Sequence, residues 1–368
     1  MTTNTTVRAS LLGLTLLLEG GCEADARPAL IWEGDHLRFG SDQPLDEISD
    51  ANFEYADAYA GYLKRLLDAP NSLVVDFYWL PGEGERTPYC ERDIVACTYG
   101  RTVYSSLVVD EHELVHAVGS YHGNAFIPIE EGLAEYLGDD ADRLRPDISG
   151  SPADVMLEYA GAEAIPYSAY PLMGHFVSYV VGAHGLDSLM EYARASDPYE
   201  SYGSTAERWD QAVELPLDVV LDDYASYPTC PPHLFRSDGF DCESRQPTPL
   251  REGIPLEISI GRNVAETLGP RYGEIWRTIA LDLPITGHYR VQPSLRSGDP
   301  GDDVRIRISR CGTDCQDASD DPYHEPRIGI TGTWCARAGR HTVRVSAAPE
   351  TVDVLNLSIV PVPSAECE

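Results

Sequence analysis

The sequence is poor in basic residues, and Lys64 is its only lysine. Its 27 basic residues are outnumbered by 60 acidic ones, which gives a formal net charge of −33 at pH 7. This balance argues against nucleic-acid binding, because such proteins carry a basic patch. It is more typical of a highly soluble surface or a salty environment than of a protein with a cationic substrate. The hydrophobic fraction of 43% fits a folded globular chain.

The chain also lacks internal repeats, low-complexity tracts and any apolar run long enough to cross a bilayer, the leucine-rich stretch in its first 22 residues included. That first segment carries one positive charge, Arg8, before the leucine-rich stretch 11–18, and it predicts a signal peptide. It ends in Glu-Gly-Gly-Cys, which resembles a bacterial lipobox, although Glu19 stands where an aliphatic residue is usual. We therefore expect residues 1–21 to be removed and Cys22 to be the lipidated first residue.

The nine cysteines support export. Without Cys22 an even number remains, which predicts up to four disulfides in an oxidising compartment. Proximity along the chain favours the pairs Cys90–Cys97, Cys230–Cys242 and Cys311–Cys315, which leaves Cys335–Cys367 as the fourth pair. We expect the protein to be lipid-anchored in the bacterial cell envelope or at the cell surface, and otherwise to be periplasmic or extracellular.

The patterning of the chain predicts two domains and an α+β fold. Residues 22–227 combine apolar residues at helical spacing with a few strand-like runs. Residues 228–249 are rich in proline and cysteine, which indicates a linker. In residues 250–368 apolar and polar positions alternate, as in His341-Thr-Val-Arg-Val345, and this pattern predicts a β-sandwich of about seven strands.

The main chemical motif is the run His-Glu-Leu-Val-His at positions 112–116. Two histidines four residues apart share one face of a helix and can both reach one zinc ion. Glu113 lies beside them, where it can take a proton from zinc-bound water. Leu114, Val115, Ala117 and Val118 of this helix are apolar, so it is expected to be largely buried. Buried polar side chains need partners, and a metal supplies them.

Glu131 is the first candidate for the third zinc ligand. It lies in Pro-Ile-Glu-Glu-Gly-Leu-Ala-Glu-Tyr-Leu, positions 128–137, which predicts a second helix. This stretch resembles the second zinc helix of the gluzincin peptidases, in which a Glu-Gly-x-Ala-x-Tyr run supplies the third ligand. The resemblance implies one Zn²⁺ bound by His112, His116 and Glu131. Glu135, one turn later on the same face, could accept a hydrogen bond from a ligand histidine.

His122 is the second candidate. The run from His112 to His122 also matches the metzincin zinc signature at every fixed position, and Met156 is a candidate for the methionine turn of that family. A metzincin site would leave the helix-forming run around Glu131 without a role. A gluzincin site leaves only Gly119 and His122 without a role. They would then be a loop turn and an exposed histidine, and both features are common. We therefore favour Glu131 and keep His122 as the alternative.

The resemblance to gluzincins covers about residues 100–220. In those peptidases the zinc helices are followed by a tyrosine and a Gly-Phe-containing helix, and residues 168–179 look similar. The resemblance implies that Tyr170 donates a hydrogen bond to the oxyanion, with Tyr167 or His175 as alternatives. It also implies a zincin-like, mainly helical catalytic domain ahead of the C-terminal β-sandwich.

These residues together predict a zinc peptidase that hydrolyses peptide bonds by Glu113-assisted attack of zinc-bound water. We expect a monomer that acts on a peptide or protein substrate, with residues 102–104 as an edge strand that binds the substrate backbone. One alternative is a metzincin-type endopeptidase. The other is a non-catalytic, zinc-stabilised surface lipoprotein that binds a partner through its β-domain, with His122 closing the zinc site as a fourth ligand.

Overall fold

The computed structural model describes residues 27–44, 48–90, 94–138, 148–230, 235, 239–250, 255–297, 304–312, 315–316, 323–351 and 353–362. Helices and sheets are both present among them, which confirms the α+β class. The predicted signal peptide and lipidated Cys22 lie outside the described residues. So does the predicted pair Cys335–Cys367, because Cys367 is not among them.

The first part of the chain contains a five-stranded mixed sheet. Its strands are β1 (Leu30–Glu33), β2 (Leu37–Gly40), β3 (Val75–Trp79), β4 (Ala96–Tyr99) and β5 (Thr102–Ser105). The order is β1-β2-β3-β5-β4, with antiparallel pairs at both ends and parallel pairs between them. The prediction that residues 102–104 form an edge strand is therefore wrong. A tight hairpin, with Gly100 at φ +56°, folds the chain back so that β4 is the edge.

Helices surround this sheet. They are α1 (Ala51–Leu66), α2 (Thr87–Cys90), α3 (Glu111–Gly119), α4 (Ile127–Leu137), α5 (Pro152–Glu158), α6 (Tyr170–His184), α7 (Leu186–Ala195), α8 (Tyr202–Val213) and α9 (Leu217–Tyr224). Gly185, with φ +86°, separates α6 from α7. One hydrophobic cluster joins the helices to the sheet, and Phe77, Phe176 and Trp209 are fully buried in it.

Two glycines allow α3, α4 and α6 to approach closely. A Cβ atom on Gly132 of α4 would lie 2.7 Å from the carbonyl oxygen of Met173 in α6. A Cβ atom on Gly138, directly after α4, would lie 2.8 Å from the backbone nitrogen of His112 in α3. Both distances are too short for a real side chain, so these positions require glycine. The close packing brings the residues of the three helices to one region.

The C-terminal part is built from two mainly antiparallel sheets. Its strands are β6 (Thr248–Pro249), β7 (Leu256–Ile260), β8 (Leu268–Arg271), β9 (Glu274–Leu283), β10 (Gly287–Leu295), β11 (Arg305–Arg310), β12 (Tyr323–His324), β13 (Gly332–Ala336), β14 (Gly339–Ala347) and β15 (Asp353–Pro361). One sheet has the order β13-β10-β15-β7. The other has the order β12-β11-β14-β9-β6, with β8 paired to β9. Alternate side chains of both sheets form one hydrophobic cluster, as the period-two pattern predicts.

Three disulfides are present among the described cysteines. The pair Cys90–Cys97 is confirmed. The predicted pairs Cys230–Cys242 and Cys311–Cys315 are wrong. Cys230 bonds to Cys315, 85 residues away, and Cys242 bonds to Cys311, 69 residues away. The segment after α9 and the end of β11 are neighbours in space, and proximity along the chain cannot reveal this.

The disulfides indicate an oxidising environment outside the cytoplasm. In the described ranges, none of the helices combines the length and the apolar character needed to cross a membrane.

Candidate metal centre

Helix α3 is anchored at its first turn to the central sheet. The side chain of Asp110 caps the helix, accepting a hydrogen bond from the Glu113 backbone N–H at 3.2 Å. The other oxygen of Asp110 accepts a hydrogen bond from the Ser105 hydroxyl of β5 at 2.6 Å. Both contacts fix the start of the helix, and therefore the direction in which His112 and His116 project.

Three side chains converge beside α3. The Nε2 atoms of His112 and His116 lie 3.2 Å apart. One carboxylate oxygen of Glu131, on α4, lies 3.1 Å from the first nitrogen and 3.4 Å from the second. All three side chains are largely shielded from solvent, with exposed fractions of 12%, 11% and 15%. The structure thus brings together the three residues that the sequence predicts as ligands.

These separations fit a small tetrahedral metal ion. With bonds of about 2.0–2.2 Å and a tetrahedral angle, two ligand atoms lie about 3.3–3.6 Å apart. The three observed distances, 3.1, 3.2 and 3.4 Å, lie at the lower end of that range or just below it. In the described part of the chain, this cluster of mutually close ligand atoms consists of His112, His116 and Glu131. The donor set of two imidazoles and one carboxylate can hold a metal ion.

His122 does not belong to this cluster, so the metzincin-type ligand set is not supported. Its Nε2 lies 2.6 Å from the carbonyl oxygen of Leu67, and its Nδ1 accepts a hydrogen bond from Arg194 at 3.3 Å. Residues 120–122 form a short 3-10 turn after α3, which carries His122 to these partners instead. Met156, the candidate for the methionine turn, is fully buried within helix α5 rather than in a turn.

The three side chains perturb one another electrostatically. Burial would lower the pKa of His116, but the Glu131 carboxylate and hydrogen bonds to Glu130 and Glu131 raise it well above its ordinary value. Burial also opposes protonation of His112, yet its hydrogen bond to Glu131 raises its pKa as well. Burial would raise the pKa of Glu131, but His116 and His112 hold it far below its usual range. The carboxylate is therefore ionised and ready to bind a cation.

Glu130 is a residue of the site that the sequence reasoning missed. Its Oε1 lies 3.3 Å from Nδ1 of His116, the ring nitrogen that faces away from the ligand cluster. The sequence predicts such a contact for Glu135 instead. Glu135 is buried and packs against Gly174 of α6, where a Cβ atom would lie 2.5 Å from its Cγ. The signal for Glu130 was its place directly before the expected ligand.

Glu113 lies on the same helix, outside the three-atom cluster. Its Oε2 accepts a hydrogen bond from the Thr98 hydroxyl of β4 at 2.7 Å, and the same hydroxyl lies 3.2 Å from the Glu113 carbonyl oxygen. Burial and the neighbouring Asp110 raise the pKa of Glu113, while His116, His112 and Thr98 oppose this rise. A carboxylate with a raised pKa is a stronger base than a solvated one.

Tyr170, at the start of α6, reaches the cluster. Its ring stacks on that of His112, with centroids 5.5 Å apart and an interplanar angle of 5°. Burial and the carboxylates of Glu131 and Glu113 raise the pKa of Tyr170 far above its ordinary value, and a hydrogen bond to Glu131 adds to this rise. The hydroxyl therefore stays protonated at any physiological pH, and it donates its hydrogen bond to the Glu131 carboxylate.

The two alternatives to Tyr170 are placed differently. Tyr167 packs edge-on against Tyr170 at 5.2 Å and is 43% exposed. His175 is buried, with Nδ1 2.7 Å from the Tyr224 hydroxyl and Nε2 3.1 Å from the Pro228 carbonyl. It also lies near the sulfur atoms of Cys230 and Cys315, but these two form a disulfide. His175 is thus a core histidine with both nitrogens engaged.

Comparisons with known proteins add little to this description. No family model matches the chain, and no curated protein matches it. Among solved structures, a family GH115 4-O-methyl-α-glucuronidase with specificity for decorated arabinogalactans is 12% identical. The alignment covers 70% of this chain but only 40% of that structure, with a TM-score of 0.16. A likeness of that size carries no argument about fold or function, so the interpretation depends on the residues of the site.

Proposed function

We propose that this protein is a zinc-dependent peptidase with its metal held by His112, His116 and Glu131. The observation that carries the proposal is the triangle of 3.1–3.4 Å between the three ligand atoms, with Glu113 beside it. Three protein ligands leave a fourth position for water or substrate, as in catalytic zinc sites. A purely structural site would have a fourth protein ligand, and His122, the candidate for that role, contacts other groups.

Zinc bound there would supply a Lewis acid that polarises a carbonyl and makes water nucleophilic at neutral pH. The other roles fall to side chains of the chain itself. Glu113 accepts the proton that water loses as its oxygen bonds to the peptide carbonyl carbon. Glu113 then returns that proton to the nitrogen as the C–N bond breaks. The Thr98 hydrogen bond holds this carboxylate in one orientation throughout.

Tyr170 is proposed to stabilise the oxyanion. The Tyr170→Phe variant should lower kcat by about 10²–10³-fold, the usual effect of losing one oxyanion donor, with little change in KM. This variant keeps the aromatic ring that stacks on His112 but loses the hydrogen bond to Glu131, so zinc content is measured together with kcat. The Tyr167→Phe variant is the matched control and should retain full activity. Equal kcat values for Tyr170→Phe and wild type would remove Tyr170 from the mechanism.

Thr98 is proposed to orient the general base. The Thr98→Val variant keeps the shape of the side chain but loses the donor to Glu113, so kcat should fall by about tenfold, the equivalent of one hydrogen bond to a charged group. The Thr98→Ser variant keeps the hydroxyl and should recover most of this loss. Steady-state kinetics of both variants test the idea. Similar losses in both would show that packing, rather than the hydroxyl, is responsible.

Zinc binding should release protons at neutral pH. The raised histidine pKa values mean that the metal-free site holds extra protons near pH 7, whereas zinc binds neutral imidazole. Raised values also mean that the metal-free protein gains stability below the unfolded pKa of about 6.5 and loses that gain as pH rises through the folded pKa values. Zinc affinity should therefore increase with pH across this window. Calorimetric titration in buffers of different ionisation enthalpy measures the release, and its absence at pH 7 would contradict these assignments.

The substrate-binding strand is proposed to be β4 rather than β5. Thr98 connects β4 directly to Glu113, and β5 is paired on both sides. Val95, directly before this strand, and Tyr99, its last residue, have exposed fractions of 42% and 49%. An extended peptide could add to this edge with its backbone beside the base, which is the usual mode of strand addition.

The proposal also includes the finer assignments of fold and location. We interpret residues 22–227 as a zincin-like catalytic domain and residues 250–368 as a β-sandwich, joined by the segment 228–249. We further propose that the protein is a monomer, attached to the bacterial cell envelope or cell surface through lipid at Cys22. Metabolic labelling with a fatty-acid analogue, compared between wild type and Cys22→Ser, tests the anchor directly.

Activity itself is tested by reconstitution. Metal-free protein should bind one equivalent of zinc, and the zinc-loaded form should cleave a mixed peptide library in a reaction that a chelator stops. Fragment masses would also distinguish internal from terminal cleavage. Tight zinc binding without any cleavage would instead support the non-catalytic lipoprotein. No zinc binding would contradict both interpretations.

A further inference from the structure

The hairpin formed by β8 and β9 in the C-terminal part contacts the start of helix α3, which carries His112 and His116. Arg271, the last residue of β8, donates a hydrogen bond to Glu111 Oε2 at 2.7 Å. Both side chains are buried, with exposed fractions of 6% and 1%. Glu111 is the first residue of α3 and directly precedes His112. The two partners are 160 residues apart in the sequence.

We infer that Arg271 is a positioning residue of the metal site and that the C-terminal part is needed to hold helix α3 in its metal-binding orientation. In this view the β-sheets are an integral support of the site rather than an independent module. The inference concerns how the proposed zinc site is held in place. It rests on the proposed function only for its zinc measurement.

Loss of one partner of the Arg271–Glu111 ion pair is expected to destabilise the start of α3 strongly. An ion pair that is shielded from water interacts far more strongly than one on the surface, and removal of one partner leaves a buried charge without compensation. Without Arg271 the buried Glu111 carboxylate loses this ion pair, which favours rotation of its side chain away from its present position. Such a rotation removes a contact that holds the first turn of α3, and His112 is the next residue in that turn.

A second buried contact fixes the same hairpin. Asn52 of α1 is fully buried, and its amide donates to the Gly269 carbonyl at 3.0 Å and accepts from the Gly269 N–H at 2.8 Å. Gly269 has φ +99°, and a Cβ atom there would lie 2.7 Å from the Glu274 carbonyl oxygen. Only glycine permits this approach. The contacts with Asn52 therefore fix the position of the hairpin against α1 independently of the Arg271–Glu111 pair.

Disulfides join the same two parts of the chain. Cys230, a few residues after α9, belongs to the hydrophobic cluster of the helical part, and Cys315, beyond β11, belongs to the same cluster. The backbone N–H of Cys315 also donates to the Tyr227 hydroxyl at 3.3 Å. The C-terminal part is thus attached covalently and by buried polar contacts, which is the arrangement expected of a permanent support.

The test compares Arg271→Met, Arg271→Lys and a matched control in the full-length protein. The control is Arg296→Met. Arg296 pairs with Glu257 in the same part of the chain, but these two side chains are 59% and 60% exposed. Two quantities are measured for each variant. The first is hydrogen exchange of the α3 amides in the metal-free protein, which does not depend on zinc. The second is the zinc dissociation constant, from competition with a chelating indicator.

For Arg271→Met we expect exchange in α3 to accelerate on the order of 100-fold, the effect of breaking a buried ion pair. The zinc dissociation constant should rise about tenfold, as for other residues that hold metal ligands in place. Arg271→Lys keeps the charge and should show smaller changes, and Arg296→Met should match wild type. If Arg271→Met does not fold, Arg271→Lys provides the comparison.

The inference is overturned if α3 exchange in the Arg271 variants stays within about twofold of wild type. It is also overturned if exchange rises equally in helices far from the hairpin, such as α8, since that would indicate general destabilisation. A wild-type protein that binds no zinc would contradict the proposed function. The exchange measurement would still decide whether Arg271 holds α3.

Discussion

Replacement of Glu113 by glutamine should lower kcat for peptide hydrolysis by about 10²–10⁴-fold, the contribution of a general base, while zinc content stays unchanged. The reason is that Glu113 lies beside the three ligand atoms without being one of them, and its carboxylate faces Thr98. Glutamine has nearly the same shape and can still accept a hydrogen bond from Thr98. It cannot accept a proton from water, so only the chemical step should suffer.

The matched control for this variant is Glu54→Gln. Glu54 lies in the first turn of α1, as Glu113 lies in the first turn of α3, but it is exposed. Its replacement should change neither kcat nor zinc content. Zinc analysis by mass spectrometry and steady-state kinetics on one peptide substrate are needed for each protein. Wild-type activity in Glu113→Gln would exclude Glu113 as the base.

Replacement of Glu131 by alanine should weaken zinc binding by more than about 100-fold, because loss of a direct ligand exceeds the usual 10–100-fold effect of losing a residue behind one. Glu131 supplies the only carboxylate oxygen of the described three-atom cluster, and it lies within 3.4 Å of both imidazole nitrogens. Activity should be lost in parallel with the zinc, and excess zinc should restore part of it.

His122→Ala is the discriminating control for Glu131. Its two ring nitrogens contact Leu67 and Arg194, so alanine should leave the zinc dissociation constant within a few-fold of wild type. Competition with a chelating indicator measures both variants under the same conditions. The opposite result, with zinc lost in His122→Ala and retained in Glu131→Ala, would establish a metzincin-type ligand set.

Local patterns were sufficient to predict the centre of the site. The spacing of His112 and His116 fixes their common face once α3 is a helix, and the run around Glu131 is itself a helix. Two glycine contacts then bring the helices together, and a single sequence does not specify such contacts. The gluzincin resemblance predicts Glu131 as a ligand because its pattern includes a glycine at the place of Gly132.

Non-local contacts account for the errors. The edge position of β4 depends on the order of strands in the sheet, which is set by the parallel pairing of β5 with β3. The disulfide partners of Cys230 and Cys242 lie on a distant loop, and the ion pair of Glu111 lies 160 residues away. Each of these contacts joins segments that are far apart in the sequence, so no local sequence pattern predicts it.

The central claim is that His112, His116 and Glu131 bind one catalytic zinc ion. Anomalous diffraction at the zinc edge, from crystals of the zinc-loaded full-length protein, tests it most directly. We predict a single peak about 2.0–2.2 Å from both Nε2 atoms and from a Glu131 carboxylate oxygen, with one coordination position not taken by protein. A peak elsewhere, or a zinc ion enclosed by four protein side chains, would contradict the account.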